Sequence, residues 1–263
     1  MKNPKYKYLK YNIDNYISIL FIDREKYLNA LSKDVIVELI DFYNWVDNNK
    51  DIKAIIMTGS GDKAFIAGAD IKEMSSLNLS ESKSYATLGQ KLTMIIENLS
   101  KPVIAAINGY ALGGGCEIAM SCHIRYAAVG SKFGQPEVGL GLIAGFGGTQ
   151  RLSRIVGKGM ALELLLSGKI INAEEALRIR LINKLVDRNV LLDECYTLAD
   201  KIKDNSSIAI KYTIDAVNKG ESKEMKKALD IESDLFSKVF HTSDCKEGLR
   251  SFLNKTKPKF LDK

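Results

Sequence analysis

Two carboxylates set in glycine-rich, otherwise apolar sequence are the residues of this chain best equipped for chemistry. Residues 109–152 read GYALGGGCEIAMSCHIRYAAVGSKFGQPEVGLGLIAGFGGTQRL and include Glu117 and Glu137. A carboxylate in apolar surroundings is seldom needed for packing, and its pKa is open to adjustment. Two of them can divide acid and base roles if their environments push their pKa values apart. Glycine lets the backbone approach a ligand and expose its N–H groups. Two glycine-bearing turns each follow an apolar run: Ala67-Gly68-Ala69-Asp70 after 54–58, and Gly113-Gly114-Gly115 after 103–108. A helix starting at the second turn offers unsatisfied N–H groups and a partial positive charge, and two N–H groups aimed at one oxygen make an oxyanion hole. On residue types alone a packing role is the simpler account. The glycines would then be tight turns under closely packed helices, Glu117 would pair with Arg125 or Lys132, and Glu137 would be solvated.

Other chemistries find little to work with. The first βα turn lacks G-x-G-x-x-G, and neither G-x-x-x-x-G-K-[ST] nor G-x-S-x-G occurs, which disfavours nucleotide sites and a hydrolase serine. With only His123 and His241, imidazole catalysis and zinc sites are poorly supplied, and His123 reads as the end of a buried helix. The four cysteines (116, 122, 195 and 245) show no C-x-x-C spacing and are expected as free thiols in a reducing cytoplasm.

The elements that must position these groups can be read from periodicity. Residues 6–10 and 16–22 are β-rich and read as a hairpin around Asn12-Ile13-Asp14-Asn15. Ser32 caps a helix running to about 46. The runs 54–58 (AIIMT) and 102–108 (PVIAAIN) are strands buried on both faces. A helical stretch over 79–99, capped by Ser80 or Ser82, separates them. A short helix over 116–122 and a strand over 124–129 follow. After Thr149 strand signal fades, and helices are expected near 157–166, 173–178, 193–204, 208–218, 223–240 and 244–254. The reading is an α/β core, 1–190, carrying the site, and a helical region, 191–263.

Length and composition agree with one globular body: 263 residues, 46% hydrophobic, 27% charged and only four prolines. The net charge of +6 is spread along the chain, so it suits an anionic ligand and makes no case for nucleic acid. The first residues hold no apolar run and no window reaches the length of a membrane span, so a cytoplasmic protein is expected.

Taken together, the segments EKYLNAL (25–31), KAFIAGADIKEM (63–74), KPVIAAINGYALGGGCEIAM (101–120), FGQPEVGLGL (133–142) and GFGGTQRLSR (145–154) resemble the crotonase (enoyl-CoA hydratase/isomerase) superfamily, nearest its bacterial short-chain hydratases. The resemblance implies an α/β, ClpP/crotonase-like spiral of ββα units closed by C-terminal trimerisation helices. It implies a homotrimer or a hexamer, with no cofactor or metal beyond the CoA of the substrate and no nucleic-acid or membrane partner. It assigns the thioester oxygen to the N–H groups of Ala69 and Gly114, catalysis to Glu117 and Glu137, and a place near the reacting water to the N–H of Gly145. Lys26, Leu28, Ala30, Ala67, Ala69, Asp70, Ile71, Lys72, Gly113, Gly114 and Pro136 match positions that hold the acyl-CoA. Phe260 and Lys263 lie where the family's C-terminus can reach it. The implied activity is reversible hydration of short trans-2-enoyl-CoA. Enoyl-CoA isomerisation or another crotonase chemistry is the in-family alternative, and a non-catalytic acyl-CoA- or RNA-binding relative a remote one. The chain departs from the pattern at Asp23-Arg24-Glu25, His123, Ala144 and Arg180, where many relatives have Asn-Arg-Pro, Asp, Pro and Gly.

Overall fold

Apolar runs with no polar face must be covered on both sides, and the chain builds its central sheet from them. A computed structural model describes residues 3–262. The strands β1 (Leu9–Asp14) and β2 (Ile17–Ile22) form an antiparallel hairpin. Its turn is Asn15-Tyr16, both with positive φ (48° and 65°), so the expected turn at 12–15 is displaced and Asn12–Asp14 belong to the strand. Helix α1 (Lys33–Asp47) starts at Ser32, whose hydroxyl accepts from the Val35 N–H.

From there the chain winds as a spiral. Strand β3 (Ala54–Gly59) lies in the large sheet, β4 (Ala64–Ile66) in a small one, and the helices α2 (Ile71–Met74) and α3 (Leu79–Glu97) follow. The cap of α3 is Asn78 in a capping box with Glu81, rather than either serine. The next turn repeats the order with β5 (Val103–Ile107), β6 (Tyr110–Leu112) and α4 (Gly114–Ser121). A third turn brings β7 (Ile124–Ala128), β8 (Lys132–Gly134) and, after a 3₁₀ turn over Glu137–Leu140, α5 (Gly148–Val156). Each turn advances one strand in both sheets. β3, β5 and β7 are parallel neighbours, and so are β4, β6 and β8.

The later chain holds α6 (Lys158–Ser167), β9 (Ile171–Asn172), α7 (Ala173–Arg178), β10 (Lys184–Val186), α8 (Leu191–Lys203), α9 (Ser207–Gly220), α10 (Met225–Phe240) and α11 (Ser243–Leu253). Strands β9 and β10 fall where little strand signal is expected, and helix α5 is absent from the expected helices. β10 extends the large sheet beside β7, and at three residues it is too short to show a period. Alternation along β3 shows why its run is wholly apolar: Ile55 and Met57 face the core beneath α1 and α3, while Ala54 and Ile56 pack against Leu191, Cys195 and Ala199 of α8. Arg180, where relatives often have glycine, has φ 63°, the left-handed region that glycine enters without strain.

Candidate active site

The parallel register of the small sheet gathers segments that are far apart in sequence. Ala64 lies beside Tyr110, Tyr110 beside Lys132, and Leu112 beside Gly134, so the ends of β4, β6 and β8 run side by side. Residues 67–70, 113–117 and 135–137 continue from those ends. Of these, Ala67, Gly68, Ala69, Gly113, Gly114, Glu117, Pro136 and Glu137 line one cavity of about 1360 Å³.

The glycine triplet makes the second of these corners possible. Gly113 has φ 49° and ψ −123°. A Cβ there would sit 2.9 Å from Glu137 Oε1, and one on Gly115 would sit 2.0 Å from the Ile66 carbonyl. The first glycine turns the chain, and the third lets α4 press onto β4. The neighbouring N–H groups are engaged: Gly113 donates to the Gly134 carbonyl (2.9 Å) and Asp70 to the Leu31 carbonyl (2.9 Å). Among the described residues the N–H groups of Ala69 and Gly114 have no such acceptor, and both residues line the cavity. Two unengaged backbone N–H groups on one cavity are the kind of donors that could receive an oxyanion.

Glu117 is one turn into α4 and only 2% exposed. Neither Arg125 nor Lys132 neutralises it. Arg125 donates to the Leu181 and Cys122 carbonyls instead. Glu117 Oε1 accepts two backbone N–H groups, from Phe146 (2.7 Å) and from Gly148 (2.6 Å) at the start of α5. Both bonds go to Oε1, which leaves Oε2 for a molecule in the cavity. Burial pushes the Glu117 carboxyl up to about 7, the Glu137 charge adds to the rise, and the two N–H groups and Arg151 oppose it. Glu137 opens the 3₁₀ turn after Pro136 and is half-buried rather than solvated. Burial raises its carboxyl too. With its amide nitrogen turned toward this carboxylate, Gln135 donates to both oxygens at 3.0 and 3.2 Å.

Of the residues singled out from the sequence, Ala67, Ala69, Ile71, Gly113, Gly114, Glu117, Pro136, Glu137 and Gly145 share the lining of this cavity. Lys26, Leu28, Ala30, Asp70 and Lys72 are not among its lining residues, although backbone bonds join the 28–31 segment to the 67–70 corner. The Ala67 N–H donates to the Leu28 carbonyl (3.1 Å) and the Leu31 N–H to the Gly68 carbonyl (2.8 Å). The Asp70 carboxylate is committed elsewhere: it caps α2 through the Glu73 N–H and pairs with Arg24 at 3.1 Å. Arg24 also donates to the Ala30 carbonyl (2.6 Å) and lies over the Tyr27 ring (4.7 Å). Phe260 packs on Gly248 of α11, apart from the cavity, and Lys263 lies outside the described residues.

Residue types gave no signal for Phe146 and Gly148, because both act through backbone N–H groups. The types of Gln135 and Arg24 are equally silent in a single sequence. Met74, Leu77, Tyr85 and Ala86 form an apolar stretch of wall beyond the carboxylates. Among the described residues no three histidine, cysteine or acidic side chains are grouped as metal ligands, the four cysteines are free, and no helix is long and apolar enough to cross a membrane.

Comparison with known proteins adds a second line. The family model described as enoyl-CoA hydratase/isomerase matches residues 12–263. The chain is 48% identical to the crotonyl-CoA hydratase of Syntrophomonas wolfei, over 94% of this chain and 95% of that one. It is 46% identical to the short-chain-enoyl-CoA hydratase of Clostridium acetobutylicum, over 92% of each. The crystal structure of an enoyl-CoA hydratase from Bacillus anthracis superposes with a TM-score of 0.95 at 33% identity, covering 98% of this chain and 100% of that one.

Proposed function

Because the chain belongs to the enoyl-CoA hydratase/isomerase family, we propose that it hydrates short trans-2-enoyl-CoA, crotonyl-CoA first among them, to the 3-hydroxyacyl-CoA, and runs the reverse dehydration. The observation that carries the reading is the convergence of two burial-perturbed carboxylates and two unengaged backbone N–H groups on one cavity.

The chemistry follows from that arrangement. The N–H groups of Ala69 and Gly114 hold the thioester oxygen and stabilise the enolate-like charge that builds there; losing one such donor costs a protease about 10²–10³ in rate. The same polarisation makes Cβ electrophilic and Cα basic. A water held between Glu117 Oε2 and Glu137 attacks Cβ. Glu117 takes the proton that the water gives up, and Glu137 delivers its own to Cα. The product has gained one water, and the carboxylate pair has moved one proton from Glu137 to Glu117. Exchange with solvent resets it. This division needs one proton on the pair, and burial disfavours the ionised form of both acids. The reaction as written uses no cofactor beyond the CoA of the substrate.

The helical region 191–263 is proposed as the oligomerisation region of a homotrimer or a pair of trimers. Support comes from α9, α10 and α11, which leave Val217, Met225, Phe236, Phe240, Phe252 and Leu253 exposed. Free thiols fit a cytoplasmic location.

The test follows the conjugated enoyl-thioester absorbance of crotonyl-CoA with purified enzyme, beside a 3-enoyl-CoA. Rapid loss with crotonyl-CoA is expected, and Glu117→Gln and Glu137→Gln should each lower kcat by about 10²–10⁴ while still binding acyl-CoA. Folded protein that shifts the double bond of the 3-enoyl-CoA and leaves crotonyl-CoA untouched refutes the reading.

A further inference from the structure

The bond that steadies Glu117 is itself held from behind. The Gly145–Phe146 peptide is trans, so its carbonyl and its N–H point in opposite directions. On one side the Phe146 N–H donates to Glu117 Oε1 at 2.7 Å. On the other, the Gly145 carbonyl accepts from Gln90 Nε2 at 2.9 Å. Gln90 is on α3 and its side chain lines the cavity, away from the packed core. The next peptide is anchored to the same helix through Thr93, whose Oγ1 donates to the Phe146 carbonyl (3.0 Å), and to α5 through Arg151 Nη1 (3.2 Å). Gly89 lets the Phe146 ring lie directly on α3, since a Cβ there would come within 2.1 Å of it.

We infer that Gln90 is a positioning residue of this site, acting through the Gly145–Phe146 peptide to aim and polarise the N–H that holds the Glu117 carboxylate. The inference rests on the hydratase reading for its catalytic consequence, but not for its physical one. A hydrogen bond to a peptide carbonyl strengthens donation by the N–H of the same peptide. An N–H bond to a carboxylate favours its ionised form. Removing the Gln90 amide therefore makes Glu117 harder to ionise.

The experiment replaces Gln90 with Met, which keeps the length and removes the donor, and with Lys, which restores one. Carbon-13 NMR of protein labelled at glutamate carboxyls reads the Glu117 titration without substrate, the resonance being identified by its loss in Glu117→Gln. The midpoint in Gln90→Met is expected to rise by about half a pH unit, and in Gln90→Lys to return to or fall below that of the parent. The acid limb of kcat with crotonyl-CoA should move by the same amount, lowering kcat at neutral pH about two- to threefold while KM stays within twofold. An unmoved Glu117 midpoint in Gln90→Met, or a raised KM with an unmoved acid limb, overturns the inference. A shifted midpoint in a protein that never hydrates crotonyl-CoA leaves the positioning role standing and removes the hydratase reading instead.

Discussion

Replacing Glu117 by Gln should lower kcat for hydration by about 10²–10⁴ and make the folded protein more stable, by an amount that depends on pH. Burial raises the Glu117 carboxyl from its ordinary 4.5 to about 7 in the folded chain. Below pH 4.5 the group is protonated in both folded and unfolded chains and costs nothing. Between 4.5 and about 7 the unfolded chain has released its proton and the folded chain still holds it, so each rise in pH favours unfolding. Above about 7 the penalty is complete, about 3 kcal/mol at 1.36 kcal/mol per unit. Glutamine has the same shape and no charge, and its oxygen can still accept the Phe146 and Gly148 N–H groups. Urea unfolding of both proteins at equal concentration, at pH 5 and pH 8.5, cancels every group they share. Glu117→Gln should gain about 2–3 kcal/mol more at pH 8.5 than at pH 5. A gain that is equal at both pH values, or absent at pH 8.5, would show that the two N–H groups and Arg151 already offset the burial of the carboxylate, and the account of a strained catalytic base would fall.

Two other perturbations separate binding from assembly. Asp70→Asn keeps the cap of α2, which either residue can provide, and removes the 3.1 Å ion pair with Arg24 that ties the 24–30 loop to the 67–70 corner. Steady-state kinetics should show KM for acyl-CoA rising about 3–10-fold with kcat within twofold; a fall in kcat at constant KM would move the role of the bridge to the Ala69 N–H. Phe236→Glu and Phe252→Glu place charge on exposed apolar positions of α10 and α11, and light scattering should show the proposed trimer reduced to a monomer. An unchanged mass in both variants would remove this face from the interface.

The sequence carried the elements whose side chains decide them. AIIMT is a strand because both of its faces are covered, and Ser32 starts α1 because its hydroxyl meets an N–H that would otherwise lack a partner. It carried less where the backbone decides. A left-handed Asn15-Tyr16 pair sets the hairpin register, and tyrosine is not a residue that signals φ above zero. Strand β10 exists because β7 offers it an edge, a fact located sixty residues away. For the site, pairing Glu117 with Glu137 and with Ala69 came from the motif pattern as a set. What brings them together is the register of β4, β6 and β8, which no local spacing encodes. The donors on Glu117 Oε1 were out of reach altogether, since a main-chain N–H looks the same on every residue but proline.

That last point bears on Ala144. Many relatives have proline there, and a pyrrolidine ring fixes φ and so limits the path of the following loop. Here Ala144 is buried and supplies no such restraint. The loop is held by its carbonyls: Gly145 by Gln90, Phe146 by Thr93 and Arg151, with Arg151 braced in turn by Glu97 at 2.7 Å. Side chains from α3 and α5 thus do from outside what a ring would do from within the chain. The two restraints differ in one respect. A ring only limits where the Phe146 N–H can point, whereas a donor on the Gly145 carbonyl also strengthens that N–H as a partner for Glu117. A chain that relies on the second device couples the ionisation of its catalytic base to a residue on a neighbouring helix, so substitutions on the cavity face of α3 will tune the pH range of this enzyme.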